Sequence, residues 1–403
     1  MRLTEPIKVL RQPLFARLYI AQAISLLGDS ITWVGVALLA YEFGGDQSSR
    51  ILATSLTLRV TSFVLFGSYA GILADRFNRK MIMIITNTFR MFIIISLAFV
   101  NGTTGLYILI FSLNVFNAFF SPAYKACIPQ LVEGRENYGN AIALSNATWQ
   151  LLGILGPGLA GILAVTWGAR QIFFVDALSF IISSVLIFFI PIKNISDSKP
   201  LSQSISSIWE NMKTGTRLVF KTKPIRFSLF IELTGALAGA QILVNTIGQI
   251  RVDMLLGDDE YGFIMSAFGI GATIAAFTSS TIDKSANKTI MLSLGALILG
   301  LAVTFANSAS FGLMTFLWII AGIGISYTDM PSQILIAENI NQEDQGKAYG
   351  SHFAWSHVWW AAGYILAGIS GTFFRDYDFF AGGITALTLL GILILLKISK
   401  RKE

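Results

Sequence analysis

Apolar runs of about 20 residues recur along the whole chain, and each is long enough to cross about 30 Å of hydrocarbon as an α-helix. Hydrophobic residues make up 54% of the 403 residues and charged residues only 13%, about half of the charged share in soluble domains. The runs are continuous and do not alternate with period 2, which argues against a transmembrane β-barrel. The sequence therefore predicts an all-α integral membrane protein.

We count twelve such runs. The predicted spans cover residues 14–43, 52–74, 80–100, 106–128, 138–167, 171–190, 227–251, 261–282, 289–306, 311–336, 348–374 and 379–398. Most of the 29 Lys and Arg residues lie in the terminal segments and in the alternate loops on one side, which is the distribution of cytoplasmic loops. We therefore expect a multi-pass protein of the cell inner (plasma) membrane with both termini in the cytoplasm. The same distribution argues against nucleic acid as a partner, and the first run is too long for the core of a cleavable signal peptide.

A polar stretch divides the chain near its middle. Residues 193–226 form the longest segment without a span, and apolar residues recur in it at near-helical spacing, as in a helix on a membrane surface. We expect an N-terminal six-helix half over residues 1–192 and a C-terminal six-helix half over residues 227–403. A cytoplasmic linker with a surface helix, over residues 193–226, would join them.

The densest charge between two spans reads Gly-x-x-x-Asp-Arg-x-x-Arg-Lys at residues 71–80. Asp75 recurs in the second half as Asp283, and Pro122 recurs as Pro331 at almost the same separation. Two landmarks with nearly one offset predict a duplicated six-helix unit. Parallel repeats of this kind occur in secondary transporters that bind substrate near the membrane midplane.

The motif at residues 71–80 resembles the loop between helices 2 and 3 of major facilitator superfamily transporters. Residues 13–29, 121–132 and 156–180 resemble the branch of that superfamily that includes macrolide-efflux proteins and enterobactin exporters. The resemblance implies an all-α fold of twelve transmembrane helices in two six-helix pseudo-repeats. It also implies that the charged loops help to lock the cytoplasmic side closed. The residues of this expected conformational gate are Gly71, Asp75, Arg76, Arg79 and Lys80, with Asp283 and Lys284 in the second copy.

Asp29 and Arg90 lie inside predicted spans 1 and 3, where a charge costs about 2.5–3.5 kcal/mol even on insertion scales. A proton gradient can load and unload an acid at this depth, so Asp29 is a candidate for proton coupling or cation recognition. The alternatives are that Asp29 is a permanent partner of Arg59 or Arg90, or that it forms a hydrogen bond that fixes its helix. Asp176 in span 6 belongs to one of the family-like stretches, and we assign it a structural role.

The second half supplies further candidates for proton coupling or substrate binding. They are the acids Glu232 and Asp329 and, in span 11, His352, Trp355, His357 and Trp359. A histidine can carry a proton, and aromatic rings can bind an amphipathic or cationic substrate. The alternatives are that Glu232 faces cytoplasmic water and that the aromatic residues form a belt at the membrane interface.

Gly156, Pro157 and Gly161 in span 5 resemble a motif associated with antiporters, and Pro157 removes a backbone donor, which favours a bend. The alternative is simple packing, because small residues let membrane helices approach closely. Three positions depart from the family patterns. Asn114 and Ala118 stand where many proton-coupled drug exporters carry an arginine and, four residues on, a glycine. Leu152 stands where the antiporter motif has a glycine.

Nothing in the sequence predicts a soluble catalytic site or a cofactor. The single cysteine, Cys127, rules out an internal disulfide and a multi-cysteine metal site, and no phosphate-binding loop is present. We therefore predict a non-enzymatic secondary transporter that exports a lipophilic or amphipathic small molecule, a drug or a siderophore-like metabolite, by alternating access with proton antiport. The alternatives are an uptake symporter, an uncoupled facilitator and a polytopic lipid-handling protein. The expected partners are the small-molecule substrate, protons and the lipid bilayer, and we expect a monomer.

Overall fold

A computed structural model describes the chain as a series of long α-helices. The described residues are 5–134, 137–138, 140–141, 144–145, 148, 152, 160, 163–164, 166–192, 201–282 and 288–399. Within them the elements are helices, and no β-strand occurs. Predicted span 5, over residues 138–167, falls mostly outside the described residues.

Eleven of the twelve long helices of the described chain match predicted spans, and α6 lies in the predicted linker. They are α1 (Pro13–Gly44), α2 (Ser48–Arg76), α3 (Arg79–Ala98), α4 (Thr103–Leu131), α5 (Ile172–Phe188), α6 (Leu201–Lys221), α7 (Lys223–Gly248), α8 (Asp258–Ile282), α9 (Lys288–Thr304), α10 (Phe311–Asn339), α11 (Gln342–Phe373) and α12 (Asp378–Ser399). The shorter elements are a helix at Glu5–Lys8, 3-10 turns at Val9–Arg11, Gly45–Gln47 and Arg375–Tyr377, and a π-helical turn at Gln249–Asp253. Spans 1–4 correspond to α1–α4, span 6 to α5, and spans 7–12 to α7–α12.

Six helical stretches of the described chain are long and apolar enough to cross a membrane. They are Pro13–Gly67, Arg79–Ala98, Thr103–Leu131, Lys223–Asp253, Phe311–Ile336 and Arg375–Lys397. The first stretch is 55 residues long and contains α1 and most of α2, which is enough helix for two crossings. Two further helices, Ile172–Phe188 and Lys288–Thr304, are apolar but shorter.

The local sequence explains where several helices begin and where they are weakened. Asn78 caps α3, because its Oδ1 accepts a hydrogen bond from the Met81 backbone N–H at 3.2 Å. Pro224 lies in the first turn of α7, where a missing backbone N–H is tolerated. Pro122 in α4 and Pro331 in α10 each remove one hydrogen bond from the interior of a long helix.

The helices group into two compact units. The first unit contains the chain up to Leu39 together with Thr61–Ile205. In this unit α3 packs against α4 and α5. Its core draws on several helices and includes the fully buried side chains of Phe15, Met83 and Cys127.

The second unit contains Ala40–Val60 and the chain from Ser206 onward. In this unit α7 is central, because α9, α10, α11 and α12 all pack against it. The predicted domain boundaries, with halves at residues 1–192 and 227–403, stay a prediction. The structure adds that Ala40–Val60, which the prediction placed in the N-terminal half, groups with the second unit.

Glycines let α10 approach two neighbouring helices at backbone distance. A Cβ atom on Gly322 would meet the Phe268 carbonyl oxygen of α8, and a Cβ atom on Gly324 would lie 2.8 Å from the Gly295 carbonyl oxygen of α9. Close approach of this kind is how small residues hold membrane helices together. The contacts therefore join α8, α9 and α10 firmly.

Helix α6 lies where the sequence predicts a helix in the linker, and it packs on the second unit. Ser351 Oγ of α11 donates a hydrogen bond to the Met212 carbonyl oxygen at 3.3 Å, and Gly215 lies directly against the Lys347 carbonyl. Val219 is fully buried in a core to which α7, α10 and α11 contribute. The position of this helix along a membrane surface stays a prediction.

Candidate functional site

Asp29 of α1 and Arg90 of α3 form an ion pair inside the first unit. Arg90 Nη2 donates to both carboxylate oxygens of Asp29, at 3.0 Å to Oδ1 and 2.8 Å to Oδ2. The Arg90 side chain is 2% exposed and the Asp29 side chain is 21% exposed. Of the partners considered for Asp29, the structure shows Arg90.

Polar and aromatic side chains contact other parts of the Arg90 guanidinium, although its Nε forms no hydrogen bond within the described chain. Its Nη1 donates to Asn87 Oδ1 at 3.0 Å, and Asn87 Nδ2 donates in turn to Ser183 Oγ at 3.1 Å. The guanidinium carbon lies 4.0 Å from the ring centroid of Phe180 and 5.4 Å from that of Phe120. A planar cation suits such stacking because its charge is spread out and weakly hydrated. Arg90 is therefore fixed in place from several directions.

Asp176 of α5 adds a second carboxyl group beside this ion pair. Its Oδ2 accepts a hydrogen bond from Thr32 Oγ1 at 2.5 Å, and its Oδ1 accepts one from Ser179 Oγ at 3.0 Å. The side chain is fully buried and lies close enough to Asp29 and Arg90 to interact electrostatically with both. We call Asp29, Arg90 and Asp176 the arginine cluster. Asp176 is visible in the sequence as a charge within span 6, but no local pattern links it to the other two residues.

Glu232 of α7 and His352 of α11 face each other in the second unit. Glu232 Oε1 lies 3.5 Å from His352 Nε2, and the two side chains are 4% and 1% exposed. Asp329 of α10 interacts electrostatically with Glu232, and the side chains of Ser332 and Ser356 lie beside the Glu232 carboxylate. We call Glu232, Asp329 and His352 the histidine cluster. Because Glu232 is enclosed, the alternative that it simply faces cytoplasmic water does not fit the structure.

Trp355 and Trp359 of α11 join Phe220 of α6 and Phe230 of α7 in a group of four rings, the aromatic quartet. The ring centroids are 5.7 Å apart for Trp355–Trp359, 6.1 Å for Phe230–Trp359, 5.3 Å for Phe220–Trp355 and 6.3 Å for Phe220–Phe230. All four residues are half-buried. The sequence analysis found the tryptophans and missed the phenylalanines, because a phenylalanine among apolar residues carries no signal of its own.

His357 lies apart from the histidine cluster on α11. Its Nδ1 is 2.8 Å from the Phe353 carbonyl oxygen, and its ring centroid is 3.9 Å from that of the Phe353 ring. Arg59 is close enough to act on it electrostatically. The two histidines therefore belong to different surroundings, although both were proposed for one role.

The loop between α2 and α3, together with the first turn of α3, is tied to α2, α4 and α5 in the first unit. Arg79 Nε donates to the Ala74 carbonyl oxygen of α2 at 2.9 Å, and its Nη1 donates to the Ala126 carbonyl oxygen of α4 at 2.9 Å. The Lys80 ammonium lies 5.1 Å from the ring centroid of Phe188 on α5. These contacts attach the loop to the ends of α4 and α5.

The other predicted gate and bend residues are described less fully. Gly71 and Arg76 both lie within α2 and are half-buried. The remaining ones lie outside the part of the chain whose side chains the structure describes: Asp75, Asp283, Lys284, Gly156, Pro157 and Gly161. Among the described residues, no group of three or more His, Cys, Asp or Glu side chains could hold a metal ion.

Arg375, in the turn before α12, gathers polar groups that the sequence analysis did not single out. Its Nε lies 3.0 Å from Asp253 Oδ1, and its Nη1 lies 3.7 Å from Asp46 Oδ1. Asn307 Nδ2 donates a hydrogen bond to its carbonyl oxygen at 3.1 Å. Charges at the ends of spans are ordinary in loops, so the sequence offered no signal that these residues would meet.

A family model described as Major Facilitator Superfamily matches residues 18–257 and 229–403 of this chain. An uncharacterized MFS-type transporter, YfiS of Bacillus subtilis (strain 168), is 26% identical over 346 residues, which cover 82% of this chain and 80% of that protein. The enterobactin exporter EntS of Shigella boydii serotype 4 is 25% identical over 334 residues, covering 76% of this chain and 71% of the exporter. Macrolide efflux protein A of Streptococcus pyogenes is 21% identical over 345 residues, covering 83% and 84%.

Solved structures of transporters share the fold. A POT family transporter in complex with 5-aminolevulinic acid superposes with a TM-score of 0.73 at 12% identity, over 94% of this chain and 95% of the transporter. A peptide transporter POT in complex with sulfate superposes with a TM-score of 0.71 at 13% identity, over 96% and 94%. At such low identity the likeness concerns the fold alone.

Proposed function

Because the chain belongs to the Major Facilitator Superfamily, we propose that it exports a lipophilic or amphipathic small molecule by alternating access, in exchange for protons. The family and the relatives are transporters, so the chain is an integral membrane transporter and not an enzyme. It has twelve transmembrane helices in two six-helix pseudo-repeats. The names of two relatives specify export, of enterobactin and of macrolides, which supports export over uptake for this chain.

The proton step is assigned to the arginine cluster, and the Asp29–Arg90 ion pair is the observation that carries it. Arg90 Nη2 lies 2.8 Å from Asp29 Oδ2. A proton on Asp29 would cancel the charge of the carboxylate and leave this nitrogen free to donate to another partner. A ligand shifts an equilibrium between two conformations only if it binds one of them more strongly. A proton that breaks the Asp29–Arg90 salt bridge would bind the two conformations with different strength, because the salt bridge joins α1 to α3.

Substrate contact is assigned to the aromatic quartet. Its four residues are half-buried, so the quartet is not fully enclosed by the described chain. Aromatic faces attract apolar groups and cations alike, which suits a lipophilic or amphipathic compound. The loop at residues 71–80, anchored by Arg79, would act as the cytoplasmic gate. A place in the cell inner membrane, cytoplasmic termini and a monomeric state complete the proposal.

Replacement of Asp29 tests the proton step. A thermal-shift screen with erythromycin, ethidium and enterobactin would first identify a compound that stabilises the purified protein. In proteoliposomes, Asp29→Asn should abolish ΔpH-driven transport of that compound, because an amide cannot bind and release the proton. Asp376→Asn makes the same change on an exposed side chain of the turn before α12 and should transport like the wild type. Equal transport by Asp29→Asn would remove Asp29 from the mechanism.

The direction and coupling of transport need a separate measurement. Flux in inverted and in right-side-out vesicles distinguishes export from uptake. Transport that only equilibrates the compound, whatever the ΔpH, would indicate an uncoupled facilitator. Movement of phospholipid by the purified protein without any gradient would favour a lipid-handling function instead.

A further inference from the structure

Two enclosed polar atoms of the histidine cluster lack partners. Glu232 Oε2 and His352 Nε2 form no hydrogen bond within the described chain, although their side chains are 4% and 1% exposed. The separation between Glu232 Oε1 and His352 Nε2 is 3.5 Å, longer than the usual 2.7–3.2 Å of a hydrogen bond. Buried polar groups in native proteins are almost always paired. The cluster therefore has two unpaired buried polar atoms, which suit the binding of a small hydrogen-bond donor or a cation.

The groups around Glu232 are acids and hydroxyls, with His352 as the one basic side chain recorded beside it. Asp329 of α10 interacts with it electrostatically, and Ser332 and Ser356 lie beside the carboxylate. The cluster thus holds two carboxyl groups and an imidazole.

The cations recorded on the helices next to α7 are engaged elsewhere. On α9, Lys288 pairs with Glu338 at 2.8 Å, and on α11, Lys347 pairs with Asp344 at 2.7 Å. On α12, the Lys397 ammonium lies 4.3 Å from the centroid of the Phe227 ring. No described ion pair therefore supplies Glu232 with a fixed positive charge.

The arginine cluster differs from the histidine cluster in this respect. There Asp29 has a permanent counter-charge, since Arg90 contacts both of its carboxylate oxygens. An acid that is enclosed without a fixed cation is costly in its charged form, so it must take up a mobile positive charge. An imidazole nitrogen is a poor ligand for hard cations such as Na⁺, and within the described chain no group of three or more His, Cys, Asp or Glu side chains could hold a metal ion. A proton, which His352 can share, therefore suits this position.

We propose that Glu232, Asp329 and His352 form a second proton-binding site, located in the second unit and distinct from Asp29. A proton arriving from water bonds to a carboxylate oxygen of Glu232 and is shared with the lone pair of His352 Nε2, in the tautomer that keeps its hydrogen on Nδ1. On release the proton returns to water and the carboxylate is restored. The site joins α7, α10 and α11, so its occupancy alters how these helices hold together. This inference rests on the proposed proton antiport and adds a second proton to the cycle.

The proton-to-substrate ratio tests the proposal in the full-length protein. With ethidium as the probe in proteoliposomes, the ratio follows from the balance of ΔpH and membrane potential at which net flux stops. Glu232→Gln should exchange one proton fewer per transported ethidium than the wild type. Asp329→Asn should also lower this ratio, and it replaces the first variant if Glu232→Gln does not fold. Glu210→Gln, on an exposed residue of α6, should match the wild type. An unchanged ratio in both cluster variants overturns the proposal.

Carbodiimide labelling tests the same site without any substrate. Dicyclohexylcarbodiimide reacts with a protonated carboxyl group, and mass spectrometry locates the adduct. We expect labelling at Glu232 that increases as the pH is lowered and that Na⁺ does not affect. Protection by Na⁺, or no adduct at any pH, would overturn the proton site. If the wild type shows no ΔpH-driven transport of ethidium, erythromycin or enterobactin, the proposed function fails, and this labelling still decides the inference.

Discussion

At the scale of single residues, Arg90 shows what a guanidinium requires inside an apolar protein. One nitrogen binds both oxygens of Asp29, another binds Asn87, and the faces of the group lie near Phe120 and Phe180. Withdrawing a cation from water is costly, and only good geometry with additional hydrogen bonds offsets the cost. The two terminal nitrogens of Arg90 meet this condition, while its Nε forms no hydrogen bond within the described chain. Arg90 and Asp29 therefore depend on each other for stability as well as for any role in transport.

We expect Arg90→Met to lower the free energy of unfolding by about 3 kcal/mol, the low end for a broken buried pair because Asp29 is partly exposed. The double change Arg90→Met with Asp29→Asn should recover more than half of the loss in Tm, because no unpaired charge is left. Thermal unfolding followed by intrinsic fluorescence measures both variants. A double variant that is less stable than Arg90→Met alone would show that the pair is not the dominant interaction of either residue.

The sequence identified part of the arginine cluster and missed part of it. Asp29 and Arg90 are visible because each is a charge within an apolar run. Asp176 is visible for the same reason, but its setting depends on residues far away in the sequence: Thr32 donates to it, and the backbone of Gly28 packs directly against its carboxyl group. No local pattern reports that α1 and α5 lie side by side.

At the scale of elements, α10 carries glycines on two faces, one toward each neighbour. Gly322 lies against Phe268 of α8, and Gly324 lies within Cβ contact distance of the α9 backbone. Helix α8 approaches in the same way, since a Cβ atom on its residue Gly271 would meet the Ile319 carbonyl of α10. Backbone-to-backbone packing leaves no room for adjustment by side-chain rotation. The three helices should therefore move as one body.

Gly324→Ala should destabilise the protein by about 1–3 kcal/mol, the usual cost of inserting a methyl group into a filled space. The inserted Cβ atom would lie 2.7 Å from Leu299 N and 2.8 Å from Gly295 O. The matched control is Gly391→Ala in α12, where nothing lies within 4 Å of the new atom. The midpoint of thermal unfolding in one detergent compares the two. Equal midpoints would mean that α9 and α10 can separate without cost.

Helix α6 shows the limit of periodicity as evidence. Apolar residues at helical spacing in residues 193–226 predicted a helix, and α6 forms there. The same pattern suggested a membrane surface as the partner of its apolar face. The structure places Val219 in a protein core and sets Gly215 against the Lys347 carbonyl, so protein covers this part of the helix, and its position along a membrane surface stays a prediction. A stripe of apolar residues predicts that one face of a helix is buried, but it does not predict whether protein or lipid covers that face.

At the scale of the whole molecule, the compact units do not follow the midpoint of the sequence. Ala40–Val60 groups with the second unit, where Ala53 lies against Gly368 and Ser49 against Gly371 of α11. The twelve helices and the duplicated pattern could be predicted, because they depend on length, apolarity and charge. The grouping of Ala40–Val60 with the second unit could not be predicted, because it depends on close contacts between small residues that no periodicity reveals.

Arg375 offers a test of what holds this segment. Arg375→Gln should raise hydrogen–deuterium exchange in residues 40–60 and 249–256, because the side chain contacts Asp253 at 3.0 Å and is only 19% exposed. Asp46→Asn should leave exchange unchanged, because the Asp46 side chain is 80% exposed and 3.7 Å from Arg375, and exposed pairs contribute about 0–1 kcal/mol. Mass spectrometry of peptic peptides measures both. Equal increases in exchange in the two variants would show that the contact with Asp46 stabilises this segment instead.

The buried cysteine in the core of the first unit has a practical consequence. Cys127 is the only thiol of the chain, and its side chain is fully enclosed with Phe15 and Met83. The wild-type protein should therefore react slowly with maleimide reagents while it is folded. A cysteine introduced at an exposed position would then be the dominant reactive group. Spin labels and fluorophores could report on the transport cycle without replacing a core residue.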